Sequence, residues 1–274
     1  MVLIVTFSDP CYRGGTCSGK TTLAKQLSAV LPNCAILNQD RYCTPEAELP
    51  IHPVHKVPDT DDADTAIRWP EFRVAFEELV KQGKSSEASR NGSEIESSSS
   101  FGYLSDEFLD QWRERFAENQ RECLARGVTV EWRIVEGFIV FYDPVRTFPV
   151  CKDIKSRANA FAHEQDIYNS IGLKIFIRAP GPLLKSRREA RKYTNSDGSL
   201  WVPPPNYWEH IAYPAYIRAH APFFEGGDVE TGRCTAPGLL VLETQGSGDG
   251  IVFEELFNLA AEAVLSKSRL DLHT

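Results

Sequence analysis

The chain has 274 residues, of which 42% are hydrophobic and 25% are charged, and its formal net charge at pH 7 is −8. This composition is typical of a soluble protein, and the acidic balance argues against nucleic acid or a membrane surface as a partner. No apolar run is long enough to span a bilayer, the N-terminus lacks the features of a signal peptide, and the seven scattered cysteines read as reduced thiols, so we expect a cytoplasmic protein.

A glycine-rich segment near the N-terminus fits the G-x-x-x-x-G-K-[ST] pattern of a phosphate-binding loop. Glycine lets backbone N–H groups approach a polyphosphate, Lys20 supplies positive charge for the β- and γ-phosphates, and the Thr21 hydroxyl can ligate Mg²⁺. An apolar strand at 2–7 precedes the loop, and leucines at helical spacing follow it, so the loop opens a helix. The predicted ATP-binding segment comprises Gly14, Gly15, Thr16, Cys17, Ser18, Gly19, Lys20, Thr21 and Thr22.

A second short strand is predicted at 34–38, and the acidic residue Asp40 follows it directly. The carboxyl ends of strands line the ligand crevice in open α/β sheets, so Asp40 lies where a carboxylate that faces a substrate would lie. Solvation is the simpler interpretation of this residue. A long irregular loop at 44–66 contains the acidic cluster 59–64, which is either solvated or engaged with magnesium or ribose hydroxyls.

The middle of the chain contains two predicted helices separated by a serine-rich stretch. Apolar spacing predicts a helix from about 71 to 81, whereas 85–105 has too little apolar surface to fold and is expected to be a disordered insert. Ser105 is the expected N-cap of a second helix, which Gly127 closes.

The second half of the chain predicts three more strands. The third strand, at 130–135, runs into Glu136, and a fourth strand is expected at 173–177. A helix dense in Lys and Arg follows at 184–193, within a lid region at 181–205, and is interpreted either as a solvated face or as a lid that clamps phosphates. Loops are expected over 194–237, then a strand at 239–242 and a helix at 252–265.

Five strands that alternate with helices predict one α/β domain over 1–274, a three-layer α/β/α phosphate-loop fold with a five-stranded parallel sheet and an Arg-rich lid. A GTPase switch is disfavoured because no N-K-x-D motif is present, and a motor ATPase is disfavoured because the third strand ends in Glu136 instead of Asp. The remaining class is a small-molecule kinase, in which catalysis is mostly positioning and charge neutralisation.

Several blocks of the sequence resemble nicotinamide riboside kinases, most closely the fungal forms, within the uridine kinase-like group. The blocks are Ser-Gly-Lys-Thr-Thr-Leu-Ala-Lys (18–25), Leu-Pro-Asn-Cys (31–34), Asn-Gln-Asp-Arg-Tyr (38–42), Val-Glu-Gly-Phe-Ile-Val-Phe (135–141) and Arg-Arg-Glu-Ala-Arg-Lys-Tyr (187–193). The resemblance spans nearly the whole chain in order, with 85–105 and roughly 146–170 outside it.

The resemblance implies an enzyme that phosphorylates the 5′-hydroxyl of nicotinamide riboside with ATP and Mg²⁺ to give nicotinamide mononucleotide. By position, it implies that Asp40 is the general base, with Lys20 as its catalytic partner. Three residues would hold the metal: Thr21, Asp40 and Glu136. The nucleoside would contact Asp40, Arg41, Tyr42, Thr60, Asp61 and Arg188, with Asp61 on the ribose hydroxyls, and ATP would contact Arg187, Arg191 and Tyr193.

Two departures from the family pattern qualify these expectations. Thr60 stands where the family usually has an aromatic residue that packs on the pyridine ring, and residues 9–13 are inserted before the phosphate loop. The alternatives are therefore a uridine or cytidine kinase and a nucleotide-binding protein with weakened catalysis. A monomer or a homodimer is compatible with the sequence.

Overall fold

The computed structural model describes residues 2–8, 18–82, 104–142, 169–190, 193–194, 200–201, 203, 205–244 and 250–270. Residues 14–17 of the phosphate loop, the inserted residues 9–13 and most of the predicted serine-rich insert lie outside these ranges. The domain boundaries and the disorder expected at 85–105 therefore stay predictions.

Strands and helices alternate through most of the described chain, which confirms the mixed α/β class. The strands are β1 (Val2–Ser8), β2 (Cys34–Asn38), β3 (Glu131–Gly137), β4 (Leu173–Arg178), β5 (Tyr193–Thr194), β6 (Leu200–Trp201) and β7 (Leu239–Glu243). The helices are α1 (Lys20–Val30), α2 (Trp69–Gln82), α3 (Asp106–Ala125), α4 (Gly181–Glu189), α5 (Tyr213–His220) and α6 (Gly250–Leu270).

The main sheet contains five strands in the order β2-β3-β1-β4-β7, and every neighbouring pair is parallel. Strand β3 lies between β2 and β1, so Glu136 has Asn38 as its partner on one side and Phe7 on the other. The separate pair β5-β6 is antiparallel. Because all five strands of the main sheet run the same way, their carboxyl ends lie along one edge.

Both faces of the sheet are covered, as the alternation of side chains along a buried strand requires. On β3, Ile134 points to a core formed with α1, α3 and α6, whereas the next residue, Val135, points to the opposite core. That second core is formed with α2 and with the segments 138–142 and 207–224. The result is a three-layer arrangement of helices, sheet and helices.

Local signals explain the ends of the α3 helix. The Ser105 side chain accepts a hydrogen bond from the Phe108 N–H, as an N-cap does. At the other end, Gly127 has φ of 76°, a left-handed conformation that glycine adopts with little strain.

One prediction of secondary structure is wrong, and another is incomplete. The helix predicted at 184–193 runs from Gly181 to Glu189, and Tyr193 instead pairs with Trp201 in the β5-β6 ribbon. Tyr and Thr favour strands, and the sequence between the two strands, Asn-Ser-Asp-Gly-Ser, consists of residue types that favour turns. The loops predicted over 194–237 are interrupted by a π-helical turn at Trp208–Ala212 that continues into α5. Pro214 argues against a helix when only the sequence is considered, but proline is tolerated in the first turn of a helix.

Candidate active site

The order of the strands brings the predicted catalytic residues to one edge of the sheet. Glu136 is the penultimate residue of β3, and Asp40 lies two residues beyond the end of the neighbouring strand β2. The phosphate loop follows β1, on the other side of β3, and leads into α1, whose first residue is Lys20. Segments that are about a hundred residues apart in sequence therefore meet where ligands bind in open parallel sheets.

A tight junction between β2 and β3 fixes this arrangement. The Gln39 side chain is buried, and its Oε1 accepts a hydrogen bond of 3.1 Å from the Ile139 N–H. A Cβ atom added at Gly137 would overlap the Gln39 side chain and would lie 2.8 Å from Val140 Cγ2. Glycine is therefore required at 137 for the two strand ends to approach each other. Asp40 directly follows Gln39, and the Asn38 side chain accepts from the Asp40 N–H at 2.7 Å.

Lys20, Thr21 and Glu136 form a buried cluster at the start of α1. Lys20 Nζ lies 3.5 Å from Glu136 Oε2, and the two side chains are 0% and 2% exposed. The Thr21 hydroxyl donates to the same oxygen at 3.0 Å. Burial raises the pKa of Glu136, the Lys20 ammonium group opposes that rise, and the Asp40 carboxylate adds to it. The cluster thus holds a buried lysine and a buried carboxylate, with the partly buried Thr21 and Asp40 beside them.

Two buried polar atoms in this cluster lack a hydrogen-bond partner within the described residues. One is the hydroxyl oxygen of Ser18 in the phosphate loop, and the other is Oδ1 of Asp40. Buried polar groups normally have partners, so these two atoms are available to a ligand or an ion. Gly19, between Ser18 and Lys20, has φ of 99°, so the chain enters α1 in a left-handed conformation.

A second polar cluster surrounds Asp61. The carboxylate is 4% exposed and accepts a hydrogen bond at Oδ2 from the Thr60 hydroxyl at 3.1 Å. The Tyr207 hydroxyl donates to the same oxygen and also lies within hydrogen-bond distance of Thr60 Oγ1. Burial and the adjacent Asp61 carboxylate raise the pKa of Tyr207 well above its usual value. The Thr60 hydroxyl therefore lies close to both the Asp61 carboxylate and the Tyr207 hydroxyl.

The arginine-rich helix α4 is anchored near this cluster. Its first residue, Gly181, donates its N–H to Glu230 Oε1 at 2.8 Å, which places a carboxylate at the positive end of the helix. In its middle, Lys185 forms an ion pair with Glu209 of the π-helical turn. Near its end, the buried Arg188 guanidinium lies 5.5 Å from the centre of the Tyr207 ring.

The remaining predicted residues are spread around these clusters. Thr22 is partly buried in the first turn of α1, Arg41 is exposed, and Arg187 is partly buried on α4. Tyr42 packs edge-on against Phe72, with 5.6 Å between the ring centres. The predictions for Gly14, Gly15, Thr16, Cys17 and Arg191 lie outside the described residues, as does the side chain of Tyr193.

The residues present fit a magnesium ion. Thr21, Asp40 and Glu136 offer only oxygen donors, and Asp40 contributes a buried oxygen without a described partner. Magnesium is usually held by one or two carboxylates together with substrate phosphates and water, not by a complete cage of protein ligands. In keeping with this, no group of three or more His, Cys, Asp or Glu in the described ranges is arranged to hold a metal ion.

The sequence of the chain is similar to those of several named enzymes. It is 24% identical over 217 residues to the nicotinamide riboside kinase of Saccharomyces cerevisiae, covering 79% of each chain. The enzyme of that name from Schizosaccharomyces pombe is 23% identical over 80% of this chain and 81% of its own. Nicotinamide riboside kinase 1 of Rattus norvegicus is 25% identical over 75% of this chain and 74% of its own. The resemblance to the nicotinamide riboside kinases is confirmed. No protein-family model matches the chain.

The contacts described above involve two residues, Gln39 and Tyr207, to which the motifs shared with nicotinamide riboside kinases assign no role. Gln39 lies inside one of the shared blocks, and its role appears only through its contact with Gly137. Tyr207 lies in a segment with several other aromatic residues, and no spacing or motif distinguishes it from Trp208 or Tyr213. Among the described helices, none has the length and apolar character needed to cross a membrane.

Proposed function

We propose that the protein transfers the γ-phosphoryl group of ATP to the 5′-hydroxyl of nicotinamide riboside, which gives nicotinamide mononucleotide and ADP. The observation that carries this proposal is the buried cluster of Lys20, Thr21 and Glu136 beside Asp40. This cluster pairs Lys20 with Glu136, near the Asp40 carboxylate, at the carboxyl edge of a parallel sheet. Relatives named nicotinamide riboside kinases, which match over about four-fifths of the chain, support the choice of nucleoside.

In this proposal the phosphate loop holds ATP, and Lys20 binds the β- and γ-phosphates. Asp40 accepts the proton of the 5′-hydroxyl as that oxygen attacks the γ-phosphorus, since its buried Oδ1 has no described partner. Thr21, Glu136 and Asp40 would hold Mg²⁺. When bound, the ion would neutralise the negative charge of the phosphates. Burial of the cluster strengthens each of these electrostatic interactions, because little water competes with them.

We propose the substrate contacts from the resemblance, with the second cluster as support. Asp61 accepts from the ribose hydroxyls, and Thr60, Arg41 and Tyr42 line the nucleoside site. Arg188 lies on the same side of α4 as Tyr207. From the resemblance, we propose that Arg187, Arg191 and Tyr193 contact ATP and belong to a lid over the phosphates. Arginine suits this role because its planar guanidinium group binds phosphate oxygens in pairs. We further propose that the protein acts in the cytoplasm, and its oligomeric state stays a prediction.

A panel of ribonucleosides tests the proposed function. The purified protein is incubated with Mg-ATP and with nicotinamide riboside, uridine or cytidine, and each 5′-monophosphate is quantified by chromatography. We expect the highest kcat/KM with nicotinamide riboside, and no product when Mg²⁺ is removed by a chelator. Preference for uridine or cytidine would refute the choice of acceptor, and absence of any monophosphate would refute the kinase assignment itself.

A further inference from the structure

Tyr207 is joined to the predicted ribose-binding residue although 146 positions separate the two in sequence. Its hydroxyl donates to Asp61 Oδ2, and both side chains are 4% exposed. Thr60 Oγ1 is the third oxygen of the group, 3.1 Å from Asp61 Oδ2 and also within hydrogen-bond distance of the Tyr207 hydroxyl. Three oxygen atoms from two distant segments therefore meet away from solvent.

The number of available protons determines how this group is bonded. Each hydroxyl carries a single proton, and the ionised carboxylate is an acceptor only. Tyr207 donates to Asp61, so Thr60 donates either to Asp61 or to the Tyr207 oxygen.

The ring of Tyr207 is itself held in place. The buried Arg188 guanidinium lies 5.5 Å from the ring centre, and the Tyr207 side chain belongs to the apolar core on that face of the sheet. A tyrosine fixed in this way presents its hydroxyl at one position. Asp61, in contrast, lies in the irregular segment between β2 and α2, where no helix or strand sets its direction.

We propose that Tyr207 is a positioning residue for ribose recognition, whose hydroxyl orients the Asp61 carboxylate toward the vicinal hydroxyls of the nucleoside. This inference rests on the proposed function, in which Asp61 binds those hydroxyls. It assigns this role to a residue 146 positions after Asp61, which acts through Asp61 and touches no reacting atom. Pre-orientation of a buried carboxylate improves binding because the substrate does not have to order it.

Replacement of Tyr207 by Phe tests the proposal, because it removes only the hydroxyl. We expect KM for nicotinamide riboside to rise at least about tenfold, the usual consequence of losing one hydrogen bond to a charged group, with kcat and the KM for ATP unchanged. The KM for a 2′,3′-dideoxy analogue should not change, since it has no hydroxyls for Asp61 to bind. Added to Asp61→Ala, the substitution should raise KM no further, because Tyr207 acts through Asp61.

Tyr213→Phe is the matched control. Tyr213 lies six residues away, and its hydroxyl bonds another carboxylate, that of Glu230, which faces the start of α4. We expect this control to leave the preference for the ribonucleoside over the dideoxy analogue unchanged. A wild-type KM in Tyr207→Phe, or an equal rise for both nucleosides, would overturn the proposal.

Two further measurements keep the proposal testable if Tyr207→Phe does not fold or if the proposed reaction does not occur. Thr60→Val removes the other hydroxyl bonded to Asp61, and it should also raise KM for the ribonucleoside alone; equal effects on both nucleosides would count against the proposal. Calorimetric binding of nicotinamide riboside and its dideoxy analogue requires no turnover. If the wild-type protein binds both but phosphorylates neither, the proposed function fails, and the comparison of binding still decides whether Tyr207 orients Asp61.

Discussion

Substitution of Gly137 by Ala should displace active-site residues without removing any group that takes part in the reaction, because Gly137 touches no substrate in the proposed function. The added Cβ would overlap the Gln39 side chain and would lie 2.8 Å from Val140 Cγ2. Packed carbon atoms stay about 3.5–4.0 Å apart, so the neighbours must move by about 1 Å. Gln39 precedes Asp40 in the chain, and Gly137 follows Glu136, so this movement displaces both carboxylates.

The expected size of the effect follows from these distances. Overpacking of this kind costs about 1–3 kcal/mol of stability, and a cost of 1 kcal/mol lowers Tm by about 2–4 °C in a protein of this size, so a loss of about 2–12 °C is expected. A misplacement of about 1 Å in a catalytic group can cost about 10²-fold in rate. We therefore expect kcat to fall about a hundredfold in a variant that remains folded at 25 °C.

Thermal melting and steady-state kinetics with nicotinamide riboside measure the two effects. Gly127→Ala is the control, because Gly127 also has a special role in the backbone, with φ of 76°, but an added Cβ meets nothing within 4 Å. This control should lose about 1–2 kcal/mol through left-handed strain and keep the wild-type kcat. If Gly137→Ala melts and turns over like the wild type, the junction between Gln39 and Gly137 does not position the site.

Three other predictions test separate parts of the account. Asp40→Asn should lower kcat by about 10²–10⁴-fold with little change in calorimetric ATP affinity, whereas a loss confined to nucleoside KM would contradict the role of base. Burial lowers the pKa of His220 from 6.5 to about 4, so the unfolded chain takes up the proton first. The free energy of unfolding from urea titrations should then fall by about 3 kcal/mol as the pH drops from 6.5 to below 4. This free energy should change less steeply with pH in His220→Asn, and an equal change in both proteins would contradict the lowered pKa of His220. Deletion of residues 9–13 restores the family spacing, and the variant should bind ATP in calorimetry at least as tightly as the wild-type protein. Weaker binding would show that the insert contacts the nucleotide.

Local signals in the sequence explain the elements that were predicted well. Strand β2 has the predicted bounds because Pro32 and Asn33 break the chain before it and a turn follows it. The α3 helix has the predicted cap at Ser105 because a serine side chain satisfies a free backbone N–H at a helix start. The position of Asp40 just after β2 could be predicted because it depends on residues close together in the chain. The assignment of 14–22 to a phosphate loop stays a prediction.

The parts that were missed depend on contacts between distant segments. Nothing near Tyr207 in the sequence indicates that its hydroxyl reaches Asp61, because the contact joins two residues that are 146 positions apart. The burial of Lys20 beside Glu136 has the same origin, since Glu136 comes from a strand more than a hundred residues later. The sequence therefore indicated which residue types occupy the site, and tertiary packing determines their partners.

The measurement that tests the central claim most directly follows both products in one reaction. The wild-type protein is incubated with Mg-ATP and nicotinamide riboside, and ADP and nicotinamide mononucleotide are quantified over time. The account predicts that the two products form in equal amounts and that Lys20→Ala, which removes the buried phosphate-loop charge, forms neither. Formation of ADP without nicotinamide mononucleotide, or an active Lys20→Ala variant, would contradict it.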